Sequence, residues 1–277
     1  MRKMLILLFA FIYIAAYKAD AQVTIAPPLV VMDRENPYGS YLVVNRSNQA
    51  QEITISFKYG FPVSDDEGNV TMEYFDEPDS LHPSASEWIR AFPRRFVLEP
   101  MQEQTVRLMV RPRGSVPDGT YTARIVTSSI KINPSDNRSM QENGVSTNIN
   151  FRFNQISALM YRHGEVTTEI EIKDITAKET EQGINVFASL HRGGNSPYLG
   201  TARVRLFEND NNLVDEKVQS VAVYEDIVRR FEFDREKVQQ GEYTAELTLS
   251  TSGRSDISSS VLIKVPDVTK SLSFSIQ

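Results

Sequence analysis

The chain has 277 residues, with 30 basic against 36 acidic side chains for a formal charge of −6, and no cysteine. A negative balance without a basic stripe disfavours nucleic acid as a partner. The missing thiols exclude a disulfide framework, a lipid-modified N-terminal cysteine and thiolate chemistry, so two domains of ordinary size would each have to be stabilised by a core alone.

Arg2 and Lys3 precede an apolar run from Met4 to Ala16, and Ala19, Asp20 and Ala21 follow ahead of Gln22. A charged start, an apolar stretch of roughly 7–15 residues and a small-x-small site describe a secretory leader. Residues 1–21 are assigned to it, with cleavage expected after Ala21. The run is short of the roughly 20 apolar residues that span a bilayer. Losing Arg2, Lys3, Lys18 and Asp20 takes the formal balance from −6 to −8. No later segment is long and apolar enough for an anchor, so the mature chain is expected to have no membrane span.

Beyond the leader every periodic segment reads as strand. Val23 to Met32 contains Pro27 and Pro28, which mark an edge or a strand that changes sheets, because proline cannot donate to a ladder. Ser40 to Asn45 and Gln51 to Tyr59 follow, the latter with Ile53, Ile55 and Phe57 alternating with polar residues. Asp65 to Asn69 is an acidic tip before Val70 to Phe75; Arg95 to Leu98, Gln104 to Val110 and a strand opening at Tyr121 come next. Asn133 to Gly144 reads as a mobile polar loop. Thr147 to Met160 is the longest strand-like stretch, alternating through Ile149, Phe151 and Phe153 and continuing at Ile156, Ala158 and Met160. Tyr161 to Gly164 reads as a hinge. The second unit, 165–277, holds expected strands at Glu165–Ile172, Gly183–His191, Leu199–Phe207, Lys217–Tyr224, Ile227–Phe233, Tyr243–Leu249 and Ser258–Val265.

One passage is written twice. Val106 and Arg107 lead through a loop to Gly119, Tyr121 and Ala123, and Val228 and Arg229 lead through a loop to Gly241, Tyr243 and Ala245. In immunoglobulin-like sandwiches a Tyr opening the strand after such a loop buries its ring and bonds its hydroxyl to backbone upstream, locking the corner between sheets. Tyr121 and Tyr243 are therefore expected structural corners. The fold expected is all-β, two tandem immunoglobulin-like β-sandwich domains after an N-terminal signal peptide, with 22–160 as the first sandwich, 161–164 as the hinge and 165–277 as the second.

Little here supports catalysis. His82, His163 and His191 are far apart without zinc-ligand spacing, and each reads as a solvated imidazole. Asp65, Asp66, Glu67 and Asn69 lack a calcium-loop pattern, and like Asp210, Asp215 and Glu216 they read as acidic hairpin residues. There is no Gly-x-Ser-x-Gly elbow and no phosphate-cradling loop. No catalytic residue, cofactor or metal is expected. Asn45, Asn69 and Asn137 each open a glycosylation-type triplet.

Phe96 to Pro100, then Gln104 to Leu108, then Pro117, with Val23 to Ile25 and Leu29 to Val31 at the start, Asn45 ending a strand and Tyr161 beside Arg162, together resemble the periplasmic pilus-assembly chaperones of the PapD-like superfamily. The resemblance covers about residues 23–163 and rests on the order of these motifs. It implies a chaperone in the periplasm that lends a strand to an exported subunit with an incomplete β-sandwich. Carried over by position, the partner-binding residues are Ile149, Phe151 and Phe153, continued by Ile156. The family anchors its client's terminal carboxylate with an Arg on the first strand and a Lys on the last; by the same resemblance Leu29 stands at the first place and Ile156 or a neighbour at the second, so neither charge is kept. Arg34, Arg152 and Arg162 are the nearby cations.

Three other readings stand beside this one. The alternating residues could fill their own core, leaving a structural or adhesion module of a cell-envelope complex that docks through loops such as 133–144. Exposed rings at Trp88, Tyr198 and Tyr224 would suit a carbohydrate-binding accessory. The same edge strand would also serve self-association.

Overall fold

The computed structural model describes residues 23–79, 82–132, 151–208 and 212–276. The leader, the polar loop 133–144, Ile149 and Asp210 lie outside the described residues. Among those described, the regular structure is strand apart from one short 3-10 turn, Ser259–Val261, and no helix is long and apolar enough to cross a membrane.

The first half contributes β1 (Val23–Ala26), β2 (Leu29–Asp33), β3 (Tyr38–Asn45), β4 (Gln51–Lys58), β5 (Gly60–Ser64), β6 (Val70–Tyr74), β7 (Ile89–Phe92), β8 (Arg95–Leu98), β9 (Glu103–Val110), β10 (Gly119–Lys131) and β11 (Arg152–His163). One sheet has the order β1-β3-β9-β7 and the facing sheet β2-β11-β10-β4-β8, while β5 and β6 form a separate hairpin. Period-two alternation sends one set of side chains from each sheet inward, and Val43, Ile53, Ile55, Val106, Ile125 and Leu159 are wholly buried there.

The paired prolines sit at a change of sheet. β1 pairs with β3 in one sheet and β2 pairs in parallel with β11 in the other. Neither Pro27 nor Pro28 can donate, so the β2 side of the ladder opens with an acceptor, the Pro28 carbonyl, which takes the Ala158 amide at 2.8 Å. That switch fixes where β11 begins to be covered.

Asn45 ends β3 with no exposed surface. Its Nδ2 donates toward the carbonyls of Gln49, Leu98 and Glu99 at 2.8, 3.1 and 3.1 Å. Its Oδ1 accepts from the Ser47 amide and hydroxyl at 3.0 and 2.7 Å. A side chain so enclosed and so fully bonded ties two loops together and is closed to glycosylation.

The second half contributes β12 (Thr168–Thr180), β13 (Gly183–Gly194), β14 (Tyr198–Glu208), β15 (Asn212–Val223), β16 (Asp226–Asp234), β17 (Gly241–Ser250) and β18 (Val268–Ile276). They form sheets of order β12-β13-β16 and β15-β14-β17-β18. The protein is therefore all-β, with two tandem immunoglobulin-like sandwiches. In β12 the inward residues Ile170 and Ile172 are followed by Ile175 at the wrong spacing for alternation; a bulge between Ile172 and Asp174 absorbs the extra residue and keeps Ile175 buried.

Ser258 to Val265, expected as the last strand, joins no sheet. It is the Ser-capped 3-10 turn and an extended stretch ahead of Pro266. The last strand is β18, whose inward row Val268, Leu272, Phe274 and Ile276 is interrupted by Lys270. That ammonium reaches across to the carbonyls of Ile172 and Lys173 at 3.3 and 2.6 Å.

In both copies of the duplicated passage the Tyr hydroxyl bonds the backbone four residues upstream, with opposite polarity. The Tyr121 hydroxyl donates to the Pro117 carbonyl at 2.9 Å. The Tyr243 hydroxyl accepts from the Gln239 amide at 3.0 Å.

Gly183 opens β13 at φ +143°, and a Cβ there would stand 1.9 Å from the Phe233 carbonyl oxygen and 2.8 Å from the Arg235 amide nitrogen. At Gly241 (φ +159°) the nearest atom would be 3.8 Å away. Gly183→Ala is therefore expected to cost about 3 kcal/mol, by strain and by forcing β13 from β16, and Gly241→Ala about 1 kcal/mol, by strain alone. Urea midpoints of the two variants test this, and equal costs would overturn it.

Tyr161 to His163, placed in the hinge by the sequence reading, are the last residues of β11, and Tyr161 is 2% exposed within the first core. The chain turns out of the sandwich at Gly164, with φ +62°. A second apolar cluster joins the two sandwiches: Tyr59, Phe61 and Met160 from the first pack with Leu199 and Tyr224 from the second. His82 belongs to this junction and is not solvated. It is 7% exposed and stacks on Phe61 at 4.7 Å. Its Nδ1 lies 3.0 Å from Asp79 Oδ1, and its Nε2 lies at ion-pair distance, 3.4 Å, from Glu225 Oε2 of the second sandwich. Tyr59 donates its hydroxyl to the His82 carbonyl at 2.6 Å, and burial, then the Asp79 charge, push that hydroxyl's pKa up to about 12. The Asp65 tip is an ordinary hairpin turn, with Oδ1 accepting from the amides of Glu67 and Asn69. No group of three or more metal-ligating side chains occurs among the described residues.

Candidate partner-binding edge

β11 is covered unequally on its two edges. It pairs antiparallel with β10 along its whole length, from Arg152 opposite Ile130 to His163 opposite Gly119. On the other edge β2 covers only Ala158 to Arg162. Among the described residues Arg152 to Ser157 therefore present one backbone edge that no strand pairs; beside it the Gln155 side chain donates from Nε2 to the Val23 carbonyl of β1 at 2.6 Å. An unpaired edge with apolar side chains is a template for another chain.

The register separates the expected partner-binding residues by face. Phe153, Gln155, Ser157, Leu159 and Tyr161 share the face that enters the first core, and Leu159 and Tyr161 are buried in it. Toward the N-terminal end of β11 the core runs out. Phe153 stands opposite Ser129, Gln155 opposite Thr127 and Ser157 opposite Ile125, so the inward positions beside the ring are polar. Phe153 is left 47% exposed and Phe151 67%, their ring centroids 6.4 Å apart. Ile156 does not continue this row. No bulge interrupts β11 between them, so three residues of separation put it on the opposite face with Ala158 and Met160, where it is half-exposed. Ile149 lies outside the described residues.

Leu29, at the place of the family's first anchoring charge, lines a cleft of about 160 Å³ between the sandwiches together with Pro28, Arg124, Ala158, Met160 and Tyr224. Ile156 does not line it. Of the cations proposed nearby, Arg34 and Arg162 line a different cavity with Asp33 and Glu35, and Arg152 is at the far, exposed end of β11. Two cations line the cleft, Arg254, which is paired with Asp256, and Arg124 of β10; the sequence reading named neither, and Arg124 is the one without a carboxylate partner among the described residues. It is 6% exposed, donates from Nε to the Gly60 carbonyl at 2.9 Å, and lies 5.2 Å over the Tyr224 ring. Its Nη2 has no hydrogen-bond partner among the described residues. The duplicated passage held a usable signal, since the copy of Arg124 is Glu246, so a charge recurs three residues after the corner tyrosine in both copies.

The rings considered for carbohydrate binding are not available. Tyr198 and Tyr224 are buried. Trp88 packs on Tyr121 at 4.6 Å and against the first core.

No protein-family model matches the chain, and no curated protein sequence matches it. Among solved structures the chain is similar to the YadV chaperone, at 8% identity over 92% of this chain and 100% of that one, with a TM-score of 0.44. It is similar to the CsuC–CsuE chaperone–tip adhesion subunit complex of Acinetobacter baumannii, at 11% identity over 90% and 98%, TM-score 0.42. The Salmonella enterica SafA pilin in complex with the SafB chaperone matches at 14% identity over 93% and 99%, TM-score 0.42.

Proposed function

We propose that this protein is a periplasmic chaperone that binds and protects or assembles exported β-rich, pilin-like subunits by lending them the N-terminal part of β11. The observation that carries this is the half-covered strand: six residues with a backbone edge unpaired among the described residues, bearing the exposed Phe153 and preceded by the exposed Phe151, whose ring lies beside it. Edge pairing supplies backbone hydrogen bonds, and alternate side chains fill the client's unfilled core. Phe151 and Phe153 are the donors the geometry supports, with Ile149 preceding them at the same period. Ile156, on the other face, would lie against the client's outer surface or solvent. With Leu29 in the cleft, the cations nearest a client's terminal carboxylate would be Arg254, already paired with Asp256, and Arg124, whose enclosed Nη2 has no partner among the described residues and would have to be uncovered to donate.

The test is a photo-cross-linking residue placed at Phe153 in the exported chain, with Val97 on the edge strand β8 as the control. Val97 is also half-exposed. The expected result is a 1:1 adduct at position 153 with a second exported β-rich protein, and none at 97. Adducts of the chain with itself would assign the edge to self-association, and adducts at 97 alone would favour a spacer or adhesion module; either overturns the proposal.

A further inference from the structure

We propose that the open seam of the second sandwich, between β15 and β16, is a binding site for a phosphate-class oxyanion, free or esterified. The site is remote from β11 and does not rest on the strand-lending reading.

β15 and β16 are edge strands of the two facing sheets, and no backbone ladder joins them. The opposite seam is closed by Lys270 on the β12 carbonyls. Here the inward register of both strands changes character toward the mouth. Val221 and Val223 of β15 and Ile227, Phe231 and Phe233 of β16 are buried core residues, but Lys217, Gln219 and Arg229 occupy positions of the same parity. They line a groove of about 590 Å³, roofed by Gly68, Asn69 and Val70 of the β5–β6 hairpin.

Charge in this groove is not balanced. Arg229 donates from Nε and Nη2 to Gln219 Oε1 at 3.2 and 2.6 Å, and Gln219 in turn donates to the Arg230 carbonyl at 2.8 Å. No carboxylate lies within ion-pair distance of Arg229 among the described residues, and burial alone depresses its pKa. Arg230 pairs with Glu232 at 3.0 Å and donates to Asn69 Oδ1 at 3.1 Å; Lys217 reaches Asp215 at 3.4 Å. Of the three cations that line the groove, Lys217 and Arg230 are thus paired with carboxylates and Arg229 is not, in a protein that is acidic as a whole. A partly buried guanidinium held only by a neutral amide is unfavourable on its own. Its remaining N–H groups form the fork that matches an oxyanion bidentately, and Lys217 and Arg230 line the same groove.

The experiment uses the whole mature chain. Thermal unfolding and calorimetric titration are followed with inorganic phosphate at constant ionic strength, against chloride, and in a second arm with glucose 6-phosphate. A saturable rise in melting temperature with phosphate is expected. Arg229→Gln should weaken it at least tenfold while leaving the phosphate-free melting temperature unchanged or higher, because an uncompensated charge is removed. Arg229→Lys keeps charge without the fork and should weaken it several-fold, which keeps the test open should the Gln variant fold poorly. Arg95→Gln, on the first sandwich, should change nothing. A response to the ester alone would identify the esterified source. A response no larger than chloride gives in both arms, or one that survives in Arg229→Gln, would overturn the site.

Discussion

A chain carrying Phe151→Asp and Phe153→Asp should capture exported β-rich subunits about a thousandfold more weakly than the unaltered chain, with no change in its own urea midpoint. Aromatic anchors that fill pockets contribute roughly 2 kcal/mol or more each, which is about thirtyfold apiece, and the carboxylates would enter the client's interior unpaired. In the free protein the two rings touch each other and solvent, beside inward positions that are already polar. Exposed substitutions of this kind change stability by about 0.5 kcal/mol or less. Phe151→Leu with Phe153→Leu keeps apolar anchors and should retain most of the capture. The measurement is pull-down of a co-expressed subunit from the envelope fraction, alongside unfolding of the purified variant. Capture undiminished by the Asp pair would remove the proposed donor role; a large fall in urea midpoint would mean that the rings serve the protein's own core.

Asn45→Asp is expected to be the most damaging nearly isosteric change in the first sandwich, costing about 3–5 kcal/mol. The substitution replaces a donor that faces three carbonyl oxygens by an acceptor, and places a charge where no surface is exposed. Asn45→Ala should cost less, about 2–3 kcal/mol, because it leaves the carbonyls unsatisfied without adding repulsion. The pH dependence separates the two. A carboxyl facing carbonyls has a folded pKa raised above its unfolded value, so the folded state binds the extra proton and stability returns as pH falls through the folded pKa. The Ala variant has no such group and should follow the unaltered chain. Urea midpoints between pH 4 and 8 decide the matter; an Asp variant no worse than Ala, or one whose relative stability does not improve on acidification, would refute the account of this loop.

The sequence was most readable where one local rule governs. Ile53 and Ile55 alternate into the core, and Pro27 and Pro28 mark the change of sheet, because alternation and a missing N–H act on the residue that carries them. It was misread where spacing alone is ambiguous. Ile172 to Ile175 and Phe153 to Ile156 have the same three-residue gap, yet a bulge in β12 keeps the first pair on one face and uninterrupted pairing in β11 splits the second. The sequence reading puts the last strand at Ser258–Val265 and does not find β18 at all; within β18 Lys270 interrupts the inward apolar row, and its ammonium caps carbonyls across the sandwich. The surroundings of His82 and Arg124 were beyond local pattern, since Phe61, Glu225, Gly60 and Tyr224 reach them from far along the chain.

The parallel pairing of β2 with β11 sets Leu29 against Ala158, joining the start of the first sandwich to its finish. A polypeptide that emerges from its N-terminus cannot complete that sheet until nearly the whole sandwich has been delivered, and contacts closed over such separations form slowly. During its own biogenesis β2 must wait, bare along one side, for a late-arriving neighbour. A molecule proposed to shield immature folds would therefore pass through the same vulnerable stage itself, and the surroundings that tolerate its arrival would have to do so before it could help anything else.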